Sequence, residues 1–556
     1  AGAAGGAGGA GGAEGEVADG SGAAQGKAAR PSESAARLAT AKSGKPLAAS
    51  ARKSAPNLQP VATVLGGDRA AGAPGNAVSR ARTPGRAKES SSTTASGAPP
   101  AGTSGSGPPP LIPLSVLVVS HEDAGKNALF EGLVRACCVQ TESQCRGGSS
   151  SELAWAFCSS PKRRFAFLHA PGRRAAIPEF IRGAAQADVA VLAVPASVQE
   201  ASVGWWALEH AAIARALGIS RLVIAVTIAG ESQEADGASC FWSAVSQLQP
   251  RLQEHGVMGA TFVPVRITPM AGVGSTSPPA TALGMSASKP LVEAPLSGQV
   301  LIRLSQRDPM LSWYDGDPLL KVLENQEAPS RPGGHAPLRV LMLGSRQEGA
   351  GASLIGRVVQ GSAQRGSECL LRPGWRRLLV QRVRDPQSSS EGSGASAGDY
   401  VDLLVTPMPD YAAVNRSADA SAGPQPLPIS GLKSAALWGT SAGESQQWLV
   451  ELRVLELEES DQPKVGRGFY GMLYFGAEAV GAEIVELIEA LDLMTEVRSG
   501  LPTAALPGTL TQCIVKLRRP TALDTFAGGQ LGRFVLRRAG HTVGVGKVVA
   551  AAMASS

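Results

Sequence analysis

The segment Ser120-His-Glu-Asp-Ala-Gly-Lys-Asn127 has the residue types of an anion-binding turn. A phosphate loop of the GxxxxGK[ST] kind needs glycines so that backbone N–H groups can wrap the phosphates. It also needs a lysine to reach the β and γ oxygens and a hydroxyl to ligate Mg²⁺. Gly125 and Lys126 stand in those places, between a strand-like run and a helix-like one. The first glycine is replaced by Ser120 and the hydroxyl by Asn127, with Asp123 and Ala124 completing the turn. Taken alone, the Gly-Lys pair also reads as an ordinary helix cap, and Lys126 as a surface lysine. The 7 cysteines and 6 histidines form no CxxC pair and no cluster with zinc spacing. The cysteines read as reduced thiols of a cytosol-like compartment.

The elements around this loop follow from periodicity. Leu111-Ile-Pro-Leu-Ser-Val-Leu-Val-Val119 is apolar, too short for a helix and carries an early proline, which suits a buried strand. Residues 127–135, 207–217 and 241–255 have helical patterns; residues 165–168, 189–194, 222–226 and 261–265 read as further buried strands. Alternation of the two implies a doubly wound, mostly parallel α/β sheet over residues 111–325. Beyond a Pro/Gly linker at 328–337 come short β-prone runs at 338–343, 354–359, 378–383, 448–455, 470–474, 513–517 and 532–549, punctuated by glycine. Such runs predict two β-barrels, over residues 336–467 and 468–556. Low-complexity insertions are expected at about 270–300 and about 385–445, the second as a flexible surface loop.

Residues 1–110 contain no Phe, Trp or Tyr, and carry 12 Lys/Arg against 6 Asp/Glu, which leaves 40 of each sign in the rest of the chain. Such a stretch buries too little apolar surface to offset its ordering entropy, so a disordered basic tail is expected. It reads as a solvated extension, or as a contact for rRNA, an acidic protein or a membrane surface. Its Arg/Ser/Ala-rich, acid-poor character also leaves an organelle transit peptide open, and the chain begins at Ala1 rather than Met, so a longer N-terminus is expected. No run of about 18 apolar residues occurs, so no membrane-spanning helix is expected.

The loop resembles the Gly-His-Val-Asp-Ala-Gly-Lys-Ser/Thr signature of the translational GTPases of the elongation factor Tu/elongation factor 1-alpha superfamily. Further stretches resemble the same family in order: Phe165-Ala-Phe-Leu-His-Ala-Pro-Gly-Arg173, Gly183-Ala-Ala-Gln-Ala-Asp-Val-Ala-Val-Leu-Ala-Val-Pro-Ala196, Glu209-His-Ala-Ala-Ile-Ala-Arg-Ala-Leu-Gly218 and Trp313-Tyr-Asp-Gly316. In the barrels, Ile355-Gly-Arg-Val-Val-Gln-Gly361, Arg519-Pro-Thr-Ala-Leu-Asp-Thr-Phe526 and Leu531-Gly-Arg-Phe-Val-Leu-Arg537 are similar to the branch holding elongation factor 1-alpha, release factor three and the Pelota-partner ribosome-rescue GTPase. The resemblance tilts toward the rescue GTPase. It implies a P-loop G domain followed by two β-barrels, a monomer in the cytoplasm (or in an organelle, if the tail is a transit peptide), and no membrane association. The ribosome and a tRNA or tRNA-mimic protein of Pelota or release-factor type are the implied partners, with rRNA contact through the tail.

By the same resemblance, Ser120, Asp123, Ala124, Gly125, Lys126, Asn127, Gly172, Thr227 and Gly230 occupy nucleotide-binding positions. Asn127 and Ser150 occupy metal positions, and Arg173 the catalytic one. Most are altered. His169 stands where an aspartate helps hold the Mg²⁺ shell. Arg173 stands where a histidine positions the attacking water, and a guanidinium accepts no hydrogen bond. Thr227-Ile-Ala-Gly230 replaces Asn-Lys-x-Asp; losing that charged contact to a buried base costs on the order of 2–5 kcal/mol. The Ser-Ala-Lys element is missing, since Val263-Pro-Val265 runs into Arg266-Ile-Thr268. GTP and Mg²⁺ are the implied cofactors, with binding expected weak or lost. The expectation is a divergent or pseudo-GTPase that delivers its partner in elongation, termination or rescue. An active divergent GTPase and an RNA-binding scaffold acting through the tail remain the alternatives. Trp205 and Trp206 are expected to pack at a domain seam.

The lack of aromatic anchors before residue 111 has a direct test. Limited proteolysis should remove the tail and leave a core whose thermal unfolding midpoint is unchanged. A drop of more than a few degrees would show that the tail packs on the folded part.

Overall fold

Val189-Ala-Val-Leu-Ala-Val-Pro195 has no polar side chain, and only a strand covered on both faces can bury every one of its residues. It lies at the middle of the sheet that organises the first domain. The structure, a computed structural model, describes residues 111–121, 128–137, 144–146, 152–196, 201–229, 234–269, 300–301, 304–327, 329–331, 336–349, 351–388, 390–408, 435–439, 443–455, 464–526 and 531–552. The tail at 1–110 and most of the insertion at about 270–300 lie outside these residues, as do Asp123, Ala124, Gly125, Lys126, Asn127, Ser150 and Gly230.

The first domain contains strands β1 (Pro113–Ser120), β2 (Gln144–Arg146), β3 (Ala154–Ser159), β4 (Arg164–Ala170), β5 (Val189–Pro195), β6 (Arg221–Ala229), β7 (Thr261–Pro269) and β8 (Val300–Leu301). Its helices are α1 (Ala128–Cys137), α2 (Ile177–Ala184), α3 (Ala201–Ala216), α4 (Glu234–Glu254) and α5 (Leu319–Glu324). The strand order is β2-β3-β4-β1-β5-β6-β7-β8. The run from β4 to β7 is parallel, and antiparallel pairs close both ends. Leu117, Leu192 and Ile224 face α2, α3 and α4, whereas Val116, Val191 and Val223 face α1 and α5. Alternate residues of one strand thus enter different cores, which is the signature of a doubly wound sheet.

Two closed barrels follow, each a ring of six strands. The first runs from Arg339–Glu348 to Ala436–Trp438, and the second from Ser445–Val454 to His541–Ala551. The boundary therefore falls between Trp438 and Ser445, not at residue 467. The strand Ser445–Val454, expected in the first barrel, pairs with Thr509–Thr521 and His541–Ala551 in the second. The insertion expected at about 385–445 needs correction in its first part, while residues 409–434 lie outside the described residues. Glu391–Gly392, Gly394–Ser396 and Tyr400–Pro407 are strands of the first domain after the G domain, the last pairing with both Gly351–Gln360 and Arg376–Arg384. Gly394 is required by close approach: a Cβ there would lie 2.9 Å from the Ala363 carbonyl oxygen.

Where the G domain meets the first barrel, one carboxylate is enclosed. Asp188, 5% exposed, accepts hydrogen bonds from Arg357 Nη2 at 2.7 and 2.8 Å, from Arg331 Nη2 at 2.8 Å and from the Ser115 amide at 2.9 Å. Arg357, 1% exposed, also donates from Nη1 to the Gln186 carbonyl, and Tyr400 OH lies 2.7 Å from Ser115 Oγ. Burial alone would raise the Asp188 pKa, but the two guanidiniums and these hydrogen bonds hold it below the usual carboxylate range. Between the barrels, Trp438 stacks beneath Arg339 at 3.6 Å and Arg372 at 4.6 Å, while Arg372 Nη1 donates to the Ala522 carbonyl at 2.7 Å.

Removing one member of such a pair strands the other in the interior. Asp188→Asn should lower the unfolding free energy of the full chain by about 3–5 kcal/mol, read from denaturant midpoints. Asp188→Leu combined with Arg357→Met should recover most of that loss. A cost under about 0.5 kcal/mol for Asp188→Asn, the range of an ordinary surface change, would remove the pair from its structural role.

Candidate nucleotide site

β1 ends at Ser120, whose hydroxyl is buried and has no hydrogen-bond partner among the described residues. Gly172 follows β4 and lies directly against it: a Cβ on Gly172 would fall 1.9 Å from the Ser120 carbonyl oxygen. The fold thus brings together Ser120 and Gly172, two of the expected nucleotide-binding positions. Arg173 is next, exposed and extended, at the start of the 3₁₀ turn Arg174–Ala176.

Trp206 reaches this turn from α3. Its indole N–H donates to the Gly172 carbonyl at 2.6 Å, and the His121 ring meets it edge-on at 5.4 Å. Behind it, His210 donates from Nδ1 to the Trp206 carbonyl at 2.8 Å, one helical turn away, and stacks against the indole at 4.3 Å. Trp205, on the same helix, lies instead under the Arg251 guanidinium at 4.7 Å. No local pattern signals the role of Trp206, because its partner lies 34 residues away on a different element.

Of the altered metal and base positions, His169, Thr227, Ile228 and Ala229 are described, whereas Asn127, Ser150 and Gly230 lie outside the described residues. The His169 ring stacks on Phe130 of α1 at 5.0 Å, and burial pushes its pKa down to about 4. At neutral pH it is an uncharged ring packed on an aromatic, with no carboxylate to offer a cation shell. Among the described residues no cluster of His, Cys, Asp or Glu could hold a metal ion. Thr227 is buried, and its hydroxyl donates to the Val194 carbonyl at 3.2 Å. Ile228 belongs to the hydrophobic core of the G domain. Both are strand residues: β6 stays paired with β7 through Thr227–Val265, Ile228–Arg266 and Ala229–Ile267. Arg266 points to Asp308, with Nε 3.0 Å from Oδ2. Up to Ala229 and Ile267, the two segments are therefore paired sheet. A cavity of about 190 Å³ lies elsewhere, between the G domain and the first barrel, bordered by Arg164, Asp385, Gln387 and Tyr400.

The comparisons agree with this frame. The elongation factor Tu C-terminal domain family matches residues 442–552. The chain is 24% identical over 441 residues to the eukaryotic peptide chain release factor GTP-binding subunit of Zygosaccharomyces rouxii, covering 78% of this chain and 59% of that one. It is 23% identical to elongation factor 1-alpha of Desulfurococcus mucosus, covering 78% of this chain and 96% of that one. The chain spans little more than half the length of the release-factor relatives it matches. In fold it is similar to translation elongation factor SelB of Methanococcus maripaludis, solved with a GTP analogue, at TM-score 0.53, 14% identity and 80% coverage of both chains. In its C-terminal domain and along most of its length the chain is similar to proteins of the translational GTPase superfamily. Within it, the similarity runs to the GTP-binding subunit of eukaryotic release factor and to elongation factor 1-alpha. Among the described residues no helix is long and apolar enough to cross a membrane.

His210 makes this region acid-sensitive. Burial lowers its pKa from 6.5 to about 4. The folded state therefore binds its proton less readily than the unfolded chain. The contribution to stability is full above pH 6.5 and is lost as pH falls from 6.5 through 4, on the order of 3 kcal/mol in all. In His210→Asn, unfolding free energy plotted against pH between 5 and 6 should be shallower by about one proton. Equal slopes for the two proteins would exclude His210 as the titrating group.

Proposed function

We propose that this chain is a translation factor of the elongation factor 1-alpha type that acts at the ribosome as a carrier without regulated GTP turnover. Its cargo is a tRNA or tRNA-like protein of release-factor or Pelota type, held through the barrels and the G-domain surface. The observation that carries the reading is the fate of Thr227 and Ile228. The first spends its hydroxyl on a strand carbonyl and the second is core, so neither is available to a guanine base. Catalysis of phosphoryl transfer rests on positioning and charge stabilisation. The neutral His169 and the non-accepting Arg173 remove two groups that would supply them.

The rival reading, a working divergent GTPase, draws on the buried Ser120 hydroxyl, which lacks a partner among the described residues and borders the phosphate loop. In either case the sequence retains Gly125 and Lys126 just before α1, the residue types of a partial phosphate cradle. On our reading any residual binding is phosphate-driven, weak and poorly selective among purine triphosphates, and Mg²⁺ strengthens it little.

Calorimetric titration with GTP, ATP and GDP, with and without Mg²⁺, separates the two readings. Weak binding with little preference for GTP, abolished by Lys126→Ala, is the expected result. Micromolar or tighter GTP binding with strong preference over ATP would establish a guanine-reading residue outside the Thr227–Gly230 stretch and overturn the carrier reading.

A further inference from the structure

The turn after β4 is fastened at both ends by side chains of this protein. On one side Trp206 donates to the Gly172 carbonyl at 2.6 Å, and the Gly172 backbone rests against Ser120. On the other, Arg537 of the second barrel donates from Nη2 to the Arg174 carbonyl at 3.4 Å, and Arg174 Nε lies 3.8 Å from Glu209 of α3. Glu209 and Trp206 share one helix. The same helix ends at Ala216, whose carbonyl accepts from Arg533 Nη1 of the second barrel at 3.1 Å.

In GTPases the switch segments are ordered by contacts to the γ-phosphate and Mg²⁺ and released on hydrolysis. We propose that in this protein the Trp206 indole N–H replaces the nucleotide as the group that holds Gly172–Arg174, so that the turn is set by α3 and the second barrel whether or not a nucleotide is bound. This regulatory inference rests in part on the carrier reading, because a loop that must respond to phosphate cannot be held by an internal donor at the same time. The geometry that carries it is local. Gly172 has no room for a side chain: a Cβ there would lie 1.9 Å from the Ser120 carbonyl oxygen and 3.5 Å from the Trp206 ring, whose N–H holds the Gly172 carbonyl. The indole is itself held by its stack on His210, whose ring is packed edge-on to Phe180 of α2 at 4.7 Å. A ligand that moved the turn would have to displace this whole aromatic stack.

Hydrogen exchange of the full-length chain, followed on the peptides covering residues 170–176, tests the latch. In the wild type, exchange there should be the same without nucleotide and with saturating GTP·Mg²⁺ or GDP·Mg²⁺. Trp206→Phe keeps the aromatic bulk and removes the N–H, and should speed exchange about five- to tenfold, the scale of one lost hydrogen bond. Gly172→Ala forces the turn off Ser120 from the other side and should speed it as well. Trp205→Phe should change nothing. The latch is overturned if Trp206→Phe exchanges like the wild type, or if GTP·Mg²⁺ slows wild-type exchange severalfold. Failure of the carrier reading looks different: tight, guanine-selective binding in the titration, with exchange at 170–176 still unmoved by nucleotide, leaves the latch standing.

Discussion

A carboxylate taken out of water is tolerated only if its charge is matched on the spot, and Asp188 is matched by Arg357 of the first barrel and by Arg331 of the linker that leads into it. The Arg357 guanidinium is itself fully enclosed, so neither charge has solvent to fall back on. Asp188 immediately precedes β5, the central strand, and also accepts from the backbone of β1 beside it. The pair therefore fixes the rotation of the first barrel against the edge of the sheet where β1 and β5 begin. Tyr400 adds a third tie, with its phenol pushed up to about 12 by burial and so kept neutral as a hydrogen-bonding group. The second barrel joins through Arg372, Arg339 and Trp438 on one side and through α3 on the other.

Such a frame changes what the nucleotide region can do. A domain that is to swing with ligand state needs weak, rearrangeable seams. Here the seams contain enclosed ion pairs and stacked guanidiniums, which have one good geometry and poor alternatives. The same economy of partners is seen at Thr227, Ile228 and Arg266, where each side chain is committed to the fold. The carrier reading rests on that commitment: Thr227, Ile228 and Arg266 are each engaged within the fold.

Much of the frame was legible in the sequence. The strands from β4 to β7 and the helices α1, α3 and α4 show themselves as apolar runs and 3.6-residue patterns, because both depend on local order alone. The strand Glu478–Asp492 did not, since its Ala, Glu and Leu content favours helix; only its barrel neighbours impose the strand. The Ser/Gly-rich stretch near Gly394 read as flexible, whereas its glycine reflects a backbone packed against Ala363. At the site, the substitutions at His169 and Thr227 were visible, but their consequences were not. Stacking on Phe130 and the hydrogen bond to Val194 are tertiary facts. Asp188 lay in plain view within Gln186-Ala-Asp188, and its partner sits 169 residues further on, beyond any local signal.

With seams of this kind, one arrangement of the G domain and barrels is expected to hold regardless of nucleotide. Single-molecule energy transfer between a dye on α4 and one on the second barrel measures it directly. The account predicts a single narrow distance distribution, identical without nucleotide, with GTP·Mg²⁺ and with GDP·Mg²⁺. Two populations, or one that shifts between the GTP and GDP conditions, would contradict it.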